Sequence, residues 1–154
     1  ASFKKGLPHA GGGWACWVRD QSTRILRSGP CPDWVESSQD AELCGVFSTA
    51  YTALTKLDSG SANIMVIKTD NQGVARWFGW GRSQVVPQKP EQTRLVRETF
   101  ERANDNHVRL VVTWVKGHRG VVDTAAYLNT QVDKMASQAR IDRTNHIRVM
   151  LIRD

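Results

Sequence analysis

Three carboxylates lie where the surrounding residues predict the ends of strands or the beginnings of helices. Asp70 directly follows the apolar segment Ala62–Lys68, whereas Glu42 and Asp133 lie near the starts of two predicted helices. Ligands bind open α/β sheets beyond the carboxyl ends of the strands, so Asp70 stands where a ligand group is expected. Carboxylate oxygens gathered in one place bind hard cations such as Mg²⁺. A helix cap or the helix dipole would explain each carboxylate separately, so only their convergence would make a metal site.

A histidine-bearing loop connects a predicted strand to the helix that carries Asp133. The β-branched segment Val108–Val115 predicts the strand, and Lys116–Leu128 is expected to be a loop with His118 between two glycines. The segment Asn129–Arg140 then predicts the helix. Strand, loop and helix together would bring His118 and Asp133 to the edge that carries Asp70.

The other elements alternate between strands and helices, which predicts an α/β domain with a mixed sheet. Ser37–Asp40 offer N-cap residues to a helix whose apolar face contains Leu43, Val46 and Ala50. The remaining predicted strands are Trp14–Arg19, Thr23–Arg27 and Ile147–Ile152, and the remaining predicted helices are Gln72–Trp80 and Pro90–Ala103. The segments Gly29–Asp33 and Gly81–Pro90 are expected to be loops.

Composition indicates a globular protein of one domain, residues 1–154, that is 40% hydrophobic and 23% charged. No apolar run is long enough to cross a membrane, and no secretory signal opens the chain. The three cysteines (Cys16, Cys31 and Cys44) are an odd number without metal-ligand spacing, so we expect reduced thiols and an intracellular (cytoplasmic) protein. We also expect a monomer. A net charge of +6 favours a polyanionic partner.

The motifs around the carboxylates resemble those of the ribonuclease H type 1 family. The sequence Trp-Val-Lys-Gly-His-Arg-Gly at Trp114–Gly120 is similar to its strand-loop signature, and Asn129–Ala136 is similar to the helix that follows. Ala41-Glu42-Leu43 resembles the family's helix glutamate motif, and Lys68–Gln72 resembles its Thr-Asp-Ser-Gln segment. The resemblance implies an RNase H-like mixed five-stranded sheet flanked by helices.

This resemblance also implies roles for individual residues. Glu42, Asp70 and Asp133 would bind two Mg²⁺ or Mn²⁺ ions, and His118 would shuttle a proton or aid product release. Ser38, Gln39 and Gln72 would reach the minor groove of an RNA/DNA hybrid, where the RNA 2′-hydroxyls are exposed. Further substrate contacts are expected from Ser2, Ser37, Asn71 and Asn129.

The two ends of the chain suggest a circular permutation of this fold. The family's first carboxylate ends the central strand and precedes a Gly-Ser pair or a close variant, and Ala1-Ser2 resembles that pair. Residues 147–154, an apolar strand ending in Asp154, would then supply the central strand and a fourth metal ligand. Two alternatives stay open: the central strand precedes residue 1 and residues 147–154 add an edge strand, or Ser2 replaces the carboxylate in a non-catalytic binder.

The implied activity is hydrolysis of the RNA strand of RNA/DNA hybrids by two metal ions, leaving 5′-phosphate and 3′-hydroxyl ends. Alternatives are another nuclease of this fold, such as a resolvase or exonuclease, and a module that binds hybrid or duplex without cutting. The chain departs from many family members because Gln84–Gln92 contains few basic residues, so their basic handle is reduced or absent. We expect Trp77 and Trp80 to pack against the sheet.

Overall fold

The computed structural model describes residues 1–6, 10–57, 63–116, 124–142 and 148–153. Its strands are β1 (Ser2–Lys4), β2 (Gly11–Arg19), β3 (Thr23–Pro30), β4 (Ile64–Thr69), β5 (Arg109–Trp114) and β6 (Arg148–Arg153). Its helices are α1 (Ser38–Lys56), α2 (Gln72–Trp77), α3 (Pro90–Asp105) and α4 (Thr124–Asp142). The predicted α/β class, with helices packed against the strands, is confirmed.

An antiparallel sheet contains β1, β2, β3 and β6 in that order. β2 and β3 pair along most of their length, from Gly13 opposite Pro30 to Arg19 opposite Arg24. β1 covers only the beginning of β2, with Ser2 opposite Gly13 and Lys4 opposite Gly11. Over the described part of the chain, that edge of β2 has no strand beside it after Gly13.

Strands β4 and β5 form a separate parallel pair, in register from Ile64 opposite Arg109 to Thr69 opposite Trp114. Helix α1 packs against both β2 and β4 and so joins the two sheets. The sequence predicted one five-stranded sheet, whereas the described strands are divided between two sheets. The reason is that no described strand lies between β2 and β4.

The C-terminal strand lies at an edge of the larger sheet and not at its centre. β6 is antiparallel to β3, from Arg148 opposite Ser28 to Arg153 opposite Thr23. Thr23 lies at the β2–β3 hairpin, which is the opposite end of the sheet from β1. The prediction of a central strand from residues 147–154 is therefore wrong, and the edge position is the one observed. An apolar strand can form backbone hydrogen bonds along any free edge of a sheet, so the composition of this segment did not determine which strand it would pair with.

Several boundaries differ from the prediction. β3 continues to Pro30, because a proline is tolerated at the end of a strand. α4 begins at Thr124 within the expected loop, since Ala125, Ala126 and Leu128 are strong helix formers.

The core lies between α1 and the strands. Leu43, Val46 and Ala50 on the predicted apolar face of α1 are all buried, and Trp14 of β2 packs with them. Trp77 is buried as predicted, and Trp80 packs on Trp114 with ring centroids 5.6 Å apart. No helix among the described residues is long and apolar enough to cross a membrane.

Glycine at position 13 permits close packing of α4 on β2. A β-carbon there would overlap the carbonyl oxygen of Ala136 and the backbone nitrogen of Arg140. We expect Gly13→Ala to lower the free energy of unfolding by about 2–3 kcal/mol, because helix backbone cannot move aside as a side chain can. Urea denaturation measures this change. Gly6→Ala is the control, since no atom of the described residues lies within 4 Å of a β-carbon placed there. Equal stabilities of the two variants would contradict the close approach.

Candidate active site

Glu42 lies in the second turn of α1 and is held from β4. Thr69, the last residue of β4, is 2% exposed and donates a hydrogen bond from Oγ1 to Glu42 Oε1 at 2.6 Å. The Glu42 side chain is 15% exposed, so its carboxylate is accessible at the end of the strand. The buried threonine fixes one carboxylate oxygen of Glu42 and leaves the other for a cation.

Asp70 follows Thr69 directly at the carboxyl end of β4. The indole Nε1 of Trp114, at the end of β5, donates to the Asp70 carbonyl oxygen at 3.1 Å. Trp114 in turn packs on Trp80. The backbone that carries the Asp70 carboxylate is therefore fixed from the neighbouring strand.

Asp133 of α4 and Glu42 both form ion pairs with the amino group of Ala1. The Ala1 ammonium is 3.0 Å from Glu42 Oε2 and 3.5 Å from Asp133 Oδ1. The Asp133 side chain is 26% exposed. The elements α1 and α4 thus bring Glu42 and Asp133 to one cation, and Asp70 at the end of β4 is close enough to act on the same ammonium.

The charges of the cluster act strongly on one another. Burial would lower the pKa of the Ala1 ammonium, but Glu42, Asp133 and Asp70 raise it to about 10. Burial raises the pKa of the Asp133 carboxyl, and repulsion by Asp70 and Glu42 raises it further against the opposing ammonium. Carboxylates that repel one another in this way favour a bound cation.

The donor set suits a hard cation, but its geometry in this structure is that of an ammonium site. Among the described residues, no group of three or more His, Cys, Asp or Glu side chains is arranged to hold a metal ion. Glu42 and Asp133 contact the Ala1 ammonium, and Asp70 acts on it electrostatically. Carboxylate oxygens are the ligands that Mg²⁺ and Mn²⁺ prefer.

The predicted substrate residues at the N-terminus of α1 and at α2 lie close to the carboxylates. Ser37 is the N-cap of α1 and accepts a hydrogen bond from Asp40 N at 3.0 Å. Asn71 is the N-cap of α2 and accepts from Val74 N at 2.9 Å. The side chains of Gln39 and Asn71 both approach Gly73, so the beginnings of the two helices are neighbours.

The structure describes some of the other predicted site residues in full, some in part and some not at all. Ser38 and Gln72 are exposed at these helix starts. Ser2 Oγ accepts a hydrogen bond from Arg140 Nε at 2.8 Å. Asn129 lies in α4, and nothing is described of its side chain. His118 and Asp154 lie outside the described residues. Because Arg153 pairs with Thr23 at the hairpin end, β6 gives no support to a fourth carboxylate at this site.

A buried network fixes the start of α1. Asp40 is fully buried, and its carboxylate accepts from Gln92 Nε2 at 2.6 Å, Lys89 Nζ at 3.0 Å and Glu36 N at 3.0 Å. These contacts outweigh burial and lower the pKa of the Asp40 carboxyl. The network attaches the N-terminus of α1, with its predicted substrate residues, to the N-terminus of α3.

Sequence reasoning missed two groups that shape the site: the Thr69 hydroxyl and the Trp114 indole. The threonine directly before Asp70 was a usable signal, since a buried polar side chain at a strand end needs a partner. Partners from distant segments, as for Trp114 and Asp70, leave no local pattern.

A comparison with known protein families points to the family that the motifs resemble. The family model described as RNase H matches residues 2–141, which include Glu42, Asp70 and Asp133 and end before β6. No curated protein matches the chain. Since the match covers most of its length, the chain belongs to the RNase H family, whose members are nucleases that act on RNA/DNA hybrids.

Proposed function

We propose that the protein is an endoribonuclease that hydrolyses the RNA strand of RNA/DNA hybrids and leaves 5′-phosphate and 3′-hydroxyl ends. The observation that supports this function is the convergence of Glu42, Asp70 and Asp133 around one cation. A net charge of +6 favours binding of a polyanion over binding of a neutral substrate.

In this proposal, Glu42, Asp70 and Asp133 hold two Mg²⁺ or Mn²⁺ ions in place of the Ala1 ammonium. When bound, such ions activate water and stabilise charge on the departing 3′ oxygen. Thr69 orients Glu42, and Trp114 fixes the backbone at Asp70. His118 would transfer the proton of the leaving group or assist product release.

The substrate residues of the proposal form a surface beside the carboxylates. Gln39, Asn71 and Gln72 would donate and accept hydrogen bonds in the minor groove, together with Ser38. Ser37 would contact a DNA phosphate near the start of α1, and Ser2 and Asn129 would complete the contacts. Recognition of 2′-hydroxyls on one strand would then select which strand is cut.

The test is hydrolysis of three end-labelled substrates of one sequence: RNA/DNA hybrid, duplex RNA and duplex DNA. With Mg²⁺ or Mn²⁺ we expect cleavage of the RNA strand of the hybrid, products with 5′-phosphates, and no cleavage after chelation of the metal. Cleavage of duplex DNA would instead identify another nuclease of this fold.

Hybrid binding without cleavage is the second candidate, and the net charge of +6 is the observation that favours it. Basic side chains bind phosphates whether or not the strand is cut. Titration of the hybrid by fluorescence anisotropy, beside the hydrolysis assay, distinguishes the two functions. Tight binding with no cleavage at any concentration of Mg²⁺ or Mn²⁺ would establish the second.

Thr69→Val tests whether the buried hydroxyl orients Glu42. Valine keeps the volume of threonine but removes the hydroxyl that donates to Glu42 and accepts from Asn71 N, so we expect kcat for hybrid hydrolysis to fall about 10–100-fold. The control is Thr99→Val, because Thr99 is also buried and its hydroxyl donates to the Leu95 carbonyl of its own helix. Thermal denaturation of both variants separates activity from stability, and an equal kcat in both would exclude this role for Thr69.

A further inference from the structure

Gly73 is the second residue of α2, and its backbone does not need glycine. Gly79 and Gly81 have φ values of 99° and 91°, which L side chains rarely adopt, whereas Gly73 has ordinary helical backbone. Glycine is also a weaker helix former than every residue except proline. A poor helix former at the start of a helix of six residues therefore serves the space that a side chain would fill.

The side-chain amide of Gln39 occupies the space beside Gly73. A β-carbon at Gly73 would overlap Gln39 Nε2 and would lie 3.4 Å from Gln39 Cδ. The same β-carbon would lie 3.4 Å from Asn71 Oδ1, so the side-chain amides of Gln39 and Asn71 are neighbours across this glycine. Gln39 can lie here only because position 73 has no side chain.

The backbone of Gln39 is fixed on both sides, so Gly73 controls its side chain and not its helix. Ser37 caps α1 by accepting a hydrogen bond from Asp40 N at 3.0 Å, and the Asp40 side chain is fully buried. Gln39 lies between them in the first turn of α1. Glu42 follows three residues later, on the same side of the helix. The amide of Gln39 is therefore held beside a carboxylate of the candidate active site.

The fold does not use the hydrogen-bonding groups of the Gln39 side chain. Gln39 is half-buried, and no hydrogen bond to its side-chain amide forms among the residues that the structure describes. The neighbouring Asp40, in contrast, accepts hydrogen bonds from three donors. An amide that is held in place without a partner keeps two donors and an acceptor for a ligand.

We propose that Gly73 is a positioning residue for the substrate, which seats the Gln39 amide beside Asn71 so that it hydrogen-bonds to the RNA strand in the minor groove of a hybrid. This inference rests on the proposed function, in which Gln39 and Asn71 contact the substrate. A side chain that is already held in place loses less conformational entropy on binding. A methyl group at Gly73 would displace the flexible Gln39 amide and leave the carboxylates unmoved.

NMR of the isotopically labelled full chain follows the Gln39 side-chain amide directly. Its resonances are those that Gln39→Ala removes, and we expect Gly73→Ala to shift them. Gly45→Ala is the matched control and should leave them unchanged, since a β-carbon there has its nearest listed neighbour, Trp14 Cβ, at the ordinary contact distance of 3.9 Å. Unchanged Gln39 resonances in Gly73→Ala would overturn the proposal.

Fluorescence anisotropy with a labelled hybrid in the presence of a chelator measures binding without cleavage. We expect Gly73→Ala and Gln39→Ala each to weaken binding about tenfold. The double variant should bind no more weakly than Gln39→Ala, because the added methyl group then has no amide to displace. Gly45→Ala should bind as the wild type does. Losses that multiply in the double variant, or wild-type affinity in Gly73→Ala, would overturn the proposal.

Hydrolysis of the hybrid separates a role in positioning from a role in catalysis. Gly73→Ala should raise KM about tenfold and change kcat less than about twofold, since the carboxylates do not move. A fall in kcat at unchanged KM would overturn the proposal. A wild type that binds the hybrid without cleaving it would contradict the endoribonuclease alone, because NMR and anisotropy still decide the role of Gly73. A wild type that does not bind the hybrid would contradict both.

Discussion

Asp70→Asn is expected to lower kcat for hydrolysis of the RNA strand about a thousandfold. The substitution keeps the shape of the side chain but removes one negative charge from the carboxylate cluster. A divalent ion contributes several kcal/mol to stabilisation of the transition state, and losing about 4 kcal/mol lowers the rate about a thousandfold. Because Asp70 is partly exposed at a strand end, we expect the fold to be kept.

Single-turnover hydrolysis of a labelled hybrid measures this effect, and fluorescence anisotropy measures binding separately. Asp105→Asn, at the exposed end of α3, is the control and should hydrolyse the hybrid at the wild-type rate. Full activity in Asp70→Asn would place the reaction elsewhere in the molecule. Reduced binding with unchanged kcat would make Asp70 a substrate contact instead.

Asp40→Asn is expected to lower the free energy of unfolding by about 3 kcal/mol, since a buried charged acceptor is lost and its donors remain. Three donors converge on this carboxylate, from Gln92, Lys89 and the Glu36 backbone. The amide of asparagine would turn a donor towards at least one of them. Urea denaturation at pH 7 measures the change, and Glu101→Gln, which removes an exposed pair with Arg97, should cost less than about 0.5 kcal/mol.

The stability difference between wild type and Asp40→Asn should depend on pH. Since the pKa of Asp40 is lowered in the folded protein, its carboxylate stabilises the fold above the unfolded pKa. That stabilisation is lost as the pH falls through the folded pKa. The difference in stability between wild type and Asp40→Asn should therefore be constant above about pH 5 and shrink below it. A difference that is unchanged at pH 3 would contradict an ionised Asp40 in the folded state.

The helices and their buried faces could be predicted from the sequence because their signals are local. Ser37 and Asp40 mark the beginning of α1, and helical spacing identifies Leu43, Val46 and Ala50 as core. The early start of α4 was missed because the glycines after Val115 suggested a longer loop than helix propensity required.

The position of β6 could not be predicted because strand pairing is a long-range property. Apolar residues in 147–152 predict a strand, but a central position and a free edge beside β3 both satisfy its backbone. Which strand β6 pairs with depends on the edges that the rest of the chain leaves unpaired. That property is set by contacts between distant segments and leaves no local sequence pattern.

The three carboxylates of the site could be predicted, and the residues that orient them could not. Asp70 directly follows β4 and Glu42 lies in the second turn of α1, as their local sequence marks, whereas Asp133 lies in the middle of α4 and not near its start as predicted. The contacts of Thr69 with Glu42 and of Trp114 with Asp70 join segments 27 and 44 residues apart. Such contacts exist only once the strands and helices have packed.

The ion pair between Lys89 and Asp40 has a consequence for the ionic strength at which the protein binds nucleic acid. Lys89 is the basic residue of Gln84–Gln92, and its ammonium also lies 3.4 Å from Glu36. Each basic side chain that neutralises a phosphate releases counterions and steepens the fall of affinity with added salt. A lysine already paired with two carboxylates contributes little to that release. The affinity for a hybrid should therefore fall less steeply with added salt than the affinity of a protein that binds through a free basic handle. Lys89 instead stabilises the fold through its ion pairs.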